Sequence, residues 1–388
     1  MTMVASPMVW GARKAVVKTR LWARIVWLAV RAYGDPVTAL ATVRDMISGR
    51  SRVRRWTTRK YAAAGGRYFW NLYTPGFPSR AFDLYIEREL DRVRPFRGDV
   101  PALQSAIFAI TKRCALQCEH CCEWDALNQA EALSSDELRG VAERLRERGV
   151  THLFLSGGEP LQRFDDLIDL VRVASAEVDM WILTSGVGLT QDRADQLAAA
   201  GLTGVAISLD HWDADQHDRF RGVRGGFEWV ERGSAHARRS GLLVALSLCP
   251  TRDFVSRDNL ERYVRTARAL GASFMQLLEP KPVGRYGGRD VTLTEPQRRL
   301  LEEMSDRLNT SPDCLELPAV SYPDYSSRSS RCFGAGDRHL YVDTDGMVHP
   351  CPFCRYPTGA VLDGGLDQAR SAMQARGCPA AAEEVHHG

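Results

Sequence analysis

Between Gln104 and Pro280 the chain switches repeatedly between two hydrophobic periods. Apolar runs of strand length fall at Ala106–Thr111, His152–Ser156, Met180–Thr184, Gly204–Leu209, Leu242–Leu248 and Phe274–Leu278. Between them the apolar residues recur at helical spacing, after Ser134 and over Phe164–Ala176, Gln191–Ala200, Gly226–Ser240 and Asn259–Leu270. Ser134 with Glu137 three residues on is the signature of a capping box, in which each side chain satisfies the other's backbone N–H. Strand–helix alternation with right-handed crossovers predicts an α/β fold whose parallel sheet curls on itself. Functional loops in such sheets lie at the C-terminal strand ends. A further helix over Glu295–Asn309 leads out of this region.

The flanks have a different pattern. On a helical wheel Arg13, Arg20, Arg24 and Arg31 share one line, with Ala15, Trp22, Ile25, Val26 and Ala29 opposite, so an amphipathic basic helix is expected. Residues 1–60 hold ten Arg and three Lys against two Asp, a net +11, while the remainder carries −8 of the total +3. Such a helix suits an anionic membrane surface, reached through residues 1–55. It equally suits packing on the main domain with a solvated basic face. A nucleic-acid arm is the third option, but no recognised reading motif accompanies the charge, and no nucleic acid is expected as a partner. The segment Trp56–Phe96 holds ten of the 33 aromatics and is broken by Pro75, Gly76 and Pro78. Linkers are poor in aromatics. This segment is expected to cap the sheet, with lining of a substrate cleft as the alternative. The longest apolar run near the start, Ile25–Val30, is far too short to span a membrane, and no signal-peptide pattern precedes it. The expectation is a cytoplasmic protein, peripheral at the inner face of the membrane if the basic helix docks there.

Ten cysteines are many for a reducing compartment, and their clustering favours metal or cluster ligation over disulfides. Cys114, Cys118 and Cys121 are spaced C-x3-C-x2-C on the loop after the first strand run. Three thiolates can hold three irons of a cubane and leave the fourth open, whereas four would close it. Zinc is the alternative for the triplet, with His120 or Cys122 as fourth ligand. It leaves Gly157-Gly158-Glu159-Pro160, a glycine turn ending the second strand, without a role. Cys122 reads as a plain buried thiol.

The cysteine triplet and the glycine turn together resemble the radical S-adenosylmethionine (radical SAM) superfamily, over roughly residues 104–285. The resemblance implies a partial (β/α)6 barrel, a catalytic [4Fe–4S] cluster on Cys114, Cys118 and Cys121, and SAM as cofactor. Gly157, Gly158 and Glu159 would meet the amino group of SAM, with Pro160 stiffening the turn. Thr184-Ser185-Gly186 resembles the family's Thr-Asn-Gly, which places Ser185 near the ribose or carboxylate. Ser208-Leu209-Asp210 resembles a Ser-Leu-Asp signature, and His217-Asp218-Arg219-Phe220-Arg221-Gly222 resembles the segment that places an arginine near the SAM carboxylate. Ser208, Asp210 and Arg221 are therefore candidate SAM-pocket residues, with strand-end capping as the plain alternative. Leu248-Cys249-Pro250-Thr251 departs from the family's Val-Thr-x-x-Asn, which puts contacts from that edge in doubt. The implied chemistry is one-electron cleavage of SAM to methionine and a 5′-deoxyadenosyl radical, which abstracts hydrogen from an unactivated carbon. A flavodoxin- or ferredoxin-type electron donor is the implied partner.

Near the other terminus, Cys332, Gly346, Cys351 and Cys354 make a C-x13-G-x4-C-x2-C arrangement, followed by Cys378. The Asp-Gly turn between Leu340 and Val348 predicts a hairpin. The arrangement resembles the SPASM and twitch extensions of radical SAM enzymes, the shorter one-cluster version fitting the cysteine count. Cys332, Cys351, Cys354 and Cys378 would hold a second [4Fe–4S] cluster, with zinc on the same four as the alternative and Cys314 as a spare thiol or a replacement for Cys378. The organisation read from the sequence is thus a helical and aromatic extension over 1–103, a radical SAM barrel over 104–290 and a small Cys-rich hairpin extension over 291–388. The substrate is a small molecule, lipid or peptide. The basic helix, and the lack of a visible peptide-recognition domain before the barrel, favour a hydrophobic or membrane-presented substrate. A maturase of a ribosomal peptide or protein is the alternative. A non-enzymatic iron–sulfur carrier is the reading from another class, disfavoured by the open-iron spacing.

Overall fold

The computed structural model describes residues 8–51, 58–97, 102–329, 336–356 and 358–376. The chain opens with β1 (Met8–Val9), α1 (Gly11–Tyr33) and α2 (Pro36–Ser51), then β2 (Tyr61–Ala64), β3 (Arg67–Phe69) and α3 (Arg80–Val93). The three strands form an antiparallel sheet in the order β1-β2-β3. α1 buries Val17, Leu21, Ile25, Leu28 and Ala29 against α2 and α3, in one cluster with Val43, Phe82 and Ile86. Its basic line is partly spent on α3: Arg24 pairs with Asp83 at 2.5 Å and Arg31 with Glu87 at 3.1 Å. The apolar face that membrane docking would have needed is therefore turned inward, with Trp22 packed against the same cluster. Of the alternatives for this helix, packing on the rest of the protein is the one its contacts fit. The stripe is buried against two neighbouring helices, and two of the four arginines, Arg24 and Arg31, meet carboxylates on α3.

The barrel follows as β4 (Ser105–Ala109), α4 (Ser135–Glu147), β5 (His152–Ser156), α5 (Phe164–Ala174), β6 (Asp179–Thr184), α6 (Gln191–Ala200), β7 (Gly204–Ser208), α7 (Ala214–Arg221), α8 (Gly226–Arg239), β8 (Leu243–Leu248), α9 (Arg257–Ala269) and β9 (Phe274–Leu277). Ser134 and Glu137 form the expected reciprocal capping box on α4. Then come α10 (Glu295–Thr310), β10 (Ala319–Ser321), α11 (Pro323–Ser329), β11 (His339–Val342), β12 (Val348–His349) and α12 (Leu366–Arg376). The large sheet runs β10-β9-β8-β7-β6-β5-β4-β11-β12, parallel throughout except for the β11–β12 hairpin. The hairpin is the one expected, turning at Gly346 with φ 76°. Its strand β11 pairs with β4, so the C-terminal extension continues the barrel sheet beside the strand that carries the cysteine loop.

Helices cover the outer face of this sheet with the largest apolar cluster, which also takes in Leu340, Val342, Val348 and Met373. The inner face is filled from two sources. Phe154 is opposite Trp181, and Trp181 opposite Gly204. A Cβ on Gly204 would lie 2.7 Å from the Trp181 ring, so that layer takes one large side chain by having none next door. Met8, Ala62, Phe69 and Leu72 complete the cluster with Phe154, Trp181, Ala245 and Phe274. The aromatic extension is thus a plug at the N-terminal ends of the barrel strands, as expected from its composition. Two cations hold it there. Arg67 pairs with buried Asp179, whose other oxygen accepts from the Gly76 N–H at 2.6 Å. Lys60, buried, donates to the carbonyls of Cys314, Leu317 and Pro318 at 2.6, 2.5 and 3.2 Å.

Candidate active site

The loop after β4 carries Cys114, Cys118 and Cys121 and is gripped on four sides by backbone contacts. Asn128, at φ 58°, brackets Cys114: its Oδ1 accepts from the Cys114 N–H at 3.0 Å and its Nδ2 donates to the Cys114 carbonyl at 2.9 Å. The glycine turn after β5 closes the second side. Gly158 N–H donates to the Thr111 carbonyl at 2.7 Å and Glu159 N–H to the Arg113 carbonyl at 2.7 Å. A Cβ on Gly157 (φ 126°) would lie 2.5 Å from the Thr111 oxygen, and one on Gly158 would overlap the Arg113 carbonyl. The glycines are needed first for the meeting of two chain segments. On the third side the end of α7 accepts from the loop, Gln117 N–H to Arg221 O at 3.1 Å and Glu119 N–H to Phe220 O at 3.0 Å. On the fourth, Arg285 N–H donates to Cys121 O at 3.0 Å.

Charge reaches the thiols from Arg221. Its Nη1 donates to Cys118 Sγ at 3.4 Å and its Nη2 pairs with Asp210 at 2.6 Å, both side chains being buried. Burial acts to raise the Asp210 carboxyl, but Arg221, the neighbouring imidazoles of His120 and His217 and the Cys249 N–H together outweigh this and hold it below the ordinary range. Asp210 is fixed in turn by the Cys249 N–H, which donates to Oδ1 at 2.9 Å, while its own N–H donates to His217 Nδ1 at 3.2 Å. His217 is pushed down to about 4, first by burial and then by Arg221, so it is neutral with its proton on Nε2. Burial pushes the Cys114 thiol up to about 11 and raises Cys121 further. A cluster held by these thiols would have to displace their protons. His120 stacks on Phe220, rings 4.9 Å apart. Among the described residues no three His, Cys, Asp or Glu side chains converge as they would around one metal ion. A cubane asks for something else, since each thiolate takes a separate iron.

The other expected SAM-pocket residues gather at the same strand ends. Glu159 is buried and saturated: Thr184 Oγ1 donates to it at 2.7 Å, Ser185 N–H at 2.8 Å, Ser185 Oγ at 2.6 Å and Leu161 N–H at 3.2 Å. Burial raises its pKa and the bonds from Ser185 and Thr184 oppose that. Glu159 and Ser185 thus bind each other across two strand ends. Pro160 starts the short helical turn that follows, and Ser208 sits half-buried at the end of β7.

A family model described as the radical SAM superfamily matches residues 108–270. The PqqA peptide cyclase of Ruegeria pomeroyi is 33% identical over 264 residues, 65% of this chain and 68% of that protein. The chain belongs to the radical SAM superfamily. It is similar at lower identity to the AdoMet-dependent heme synthase of Oleidesulfovibrio alaskensis, 26% over 299 residues, covering 70% of this chain and 75% of that protein. The crystal structure of Streptococcus suis SuiB bound to precursor peptide SuiA matches the fold with a TM-score of 0.57 at 15% identity, over 73% of this chain and 69% of that one. As a radical SAM enzyme the chain uses a [4Fe–4S] cluster and SAM. The donors present fit that pair: three thiols on one clamped loop, with a guanidinium aimed at one of them.

Of the four C-terminal cysteines, Cys332 and Cys378 lie outside the described residues. Cys351 and Cys354 are half-buried in a tight turn closed by Cys354 N–H to Cys351 O at 3.2 Å. Cys314 lies next to β10, at the opposite edge of the sheet from β12, with its carbonyl on Lys60. That position suits a spare thiol. Asn128 and Arg285 lie in no quoted motif, and His217 and Cys249 lie in motif segments but without a role assigned to them. The only sequence signals were Gly284, where a Cβ would overlap the Cys121 carbonyl, and the His-Asp segment containing His217.

Proposed function

We propose that Cys114, Cys118 and Cys121 hold the catalytic cluster, that Gly157, Gly158, Glu159, Pro160, Ser185, Ser208, Asp210 and Arg221 form the SAM site, and that the substrate is a peptide. The observation that carries the site is the clamped three-thiol loop at the C-terminal end of β4, opposite the buried Asp210–Arg221 pair. When bound, the reduced cluster supplies the electron that cleaves SAM to methionine and a 5′-deoxyadenosyl radical. The chain's own part is orientation. Asn128 and the glycine turn fix where the thiols point, while Asp210 and His217 hold Arg221 beside Cys118. The Glu159–Ser185 bonds keep the ends of β5 and β6 together without a mobile charge. The aromatic plug seals the far end of the barrel, which excludes water from that side.

A peptide substrate is supported by the likeness to a PqqA peptide cyclase. The apolar face of α1 is buried in a core shared with α2 and α3, so it gives no reason to prefer a membrane-presented substrate. Cys332, Cys351, Cys354 and Cys378 would hold an auxiliary [4Fe–4S] cluster, fed by a flavodoxin- or ferredoxin-type donor. The protein would then carry about eight irons, against about four plus one zinc for the alternative. The test is anaerobic incubation with SAM, dithionite and candidate peptides. 5′-Deoxyadenosine should form in step with a change in peptide mass, and its formation without any peptide product would count against a peptide substrate.

A second reading keeps one observation. Val37, Leu40 and Ile47 leave an apolar stripe exposed on α2, with Arg44 among them. Docking of this face on anionic lipid would make vesicle sedimentation depend on residues 1–55 and fall steeply with salt. No helix among the described residues is long and apolar enough to cross a membrane.

A further inference from the structure

Two residues beyond Cys121 sits Glu123, a buried carboxylate to which the SAM chemistry gives no task. Both of its partners belong to the C-terminal extension. Tyr341, on β11, donates its hydroxyl to Glu123 Oε1, and Arg355 donates Nη2 to the same oxygen. Arg355 immediately follows Cys354, and its Nε donates to the Pro352 carbonyl at 2.9 Å, inside the Cys351–Cys354 turn. Its guanidinium lies 5.5 Å from the centre of the Tyr341 ring. Lys112, two residues before Cys114, makes a parallel link, pairing with Asp345 in the β11–β12 turn at 2.6 Å. The Glu123–Arg355 pair thus ties the two cysteine turns within two residues of a thiol at each end, and the Lys112–Asp345 pair ties the catalytic loop to the neighbouring hairpin turn.

We propose that Glu123, Tyr341 and Arg355 form a positioning bridge by which the C-terminal cysteine turn sets the electrostatic environment of the catalytic cluster. A carboxylate fixed behind a cluster ligand disfavours the extra electron of the reduced state. The arginine delivered by the C-terminal turn cancels it. Cluster potentials follow net charge and hydrogen bonding in the surrounding shell, and a charge held in a buried site acts more strongly than one in water. The C-terminal turn therefore does more than hold its own metal. It supplies the cation that makes a buried carboxylate tolerable beside the catalytic loop. Removing one member of such a pair leaves the other uncompensated, and removing both does not.

This inference rests on the assignment of the catalytic cluster to Cys114, Cys118 and Cys121. The experiment is a redox titration followed by electron paramagnetic resonance, on wild type, E123Q and the double variant E123Q/R355Q, reading the signal that changes when SAM is added. Iron content and thermal unfolding are measured alongside. E123Q keeps the shape of the side chain, and it should raise the midpoint of the SAM-responsive cluster by leaving Arg355 uncompensated. The double variant should return toward wild type, the non-additivity expected of an interacting pair. A merely structural bridge would instead make the double variant depart further. An unshifted or lowered midpoint in E123Q, or a double variant further from wild type than E123Q, overturns the proposal. Should the double variant not assemble its cluster, the sign of the E123Q shift alone decides. Absence of any SAM-responsive signal in the wild type would instead overturn the cluster assignment itself, which keeps the two failures distinct.

Discussion

At the C-terminal ends of the barrel strands, the cysteine loop is held by backbone hydrogen bonds and buried charge: Asn128 on Cys114, the Gly157–Gly158 turn on Thr111 and Arg113, and Arg221 between Cys118 and Asp210. At the N-terminal ends the same strands are closed by Phe69, Leu72 and Met8 packed on Phe154 and Trp181, with a few charges around the rim. Polar groups need particular partners at particular distances, so the first end tolerates few residue types and leaves short motifs in the sequence. Apolar packing needs volume and hydrophobicity. The second end can be written in many ways and leaves only a composition.

The contrast predicts that equal damage to stability will have unequal effects on chemistry. Arg221→Met leaves Asp210 buried without its cation and should cost about 3–5 kcal/mol, with loss of SAM cleavage even in the folded fraction. Phe69→Ala opens the plug and should cost a similar amount, about 3–5 kcal/mol. Its folded fraction should still cleave SAM at the wild-type rate per iron-loaded molecule. Thermal unfolding together with 5′-deoxyadenosine assays separates the two, and equal catalytic loss in both would erase the distinction between the ends.

A pH series reports on the buried histidines, two of which, His152 and His339, start strands at the closed end. Burial lowers His152 to about 3 and His339 to about 4, from 6.5 in the unfolded chain. Both are neutral in the fold, so their contribution is complete above about pH 6.5 and is lost as pH falls toward 4. Each then costs about 1.4 kcal/mol per pH unit. Melting temperature should fall over that window, and His152→Leu should flatten the slope if the variant folds. An unchanged slope would show that His152 carries none of the acid sensitivity.

The smallest effect is expected at Asn128. Asn128→Ala removes two hydrogen bonds to one exposed backbone position, about 1 kcal/mol each. Stability should change little, yet iron occupancy of the three-cysteine site should drop. Full loading would mean that the glycine turn suffices to hold Cys114.

This difference also explains what could be read beforehand. All six barrel strands fall within one or two residues of the apolar runs, because a strand buried on both faces cannot hide its composition. The cysteine triplet and glycine turn are legible because, on the proposed assignment, a cofactor dictates their spacing. The short helix α7 escaped notice because eight mostly polar residues carry no periodic signal. The N-terminal helices were seen as one amphipathic stripe, since no sequence window shows that α3 brings Asp83 and Glu87 to Arg24 and Arg31. Likewise the pairing of β11 with β4 joins residues some 230 positions apart along the chain, beyond the reach of any local pattern.

The most direct test of the active-site assignment is anaerobic 5′-deoxyadenosine formation from SAM and dithionite by wild type and by C114A/C118A/C121A, with iron counted in both. The wild type should form it and the triple variant should not, while the triple variant keeps about four irons at the C-terminal cysteines. Normal SAM cleavage by the triple variant would contradict the assignment.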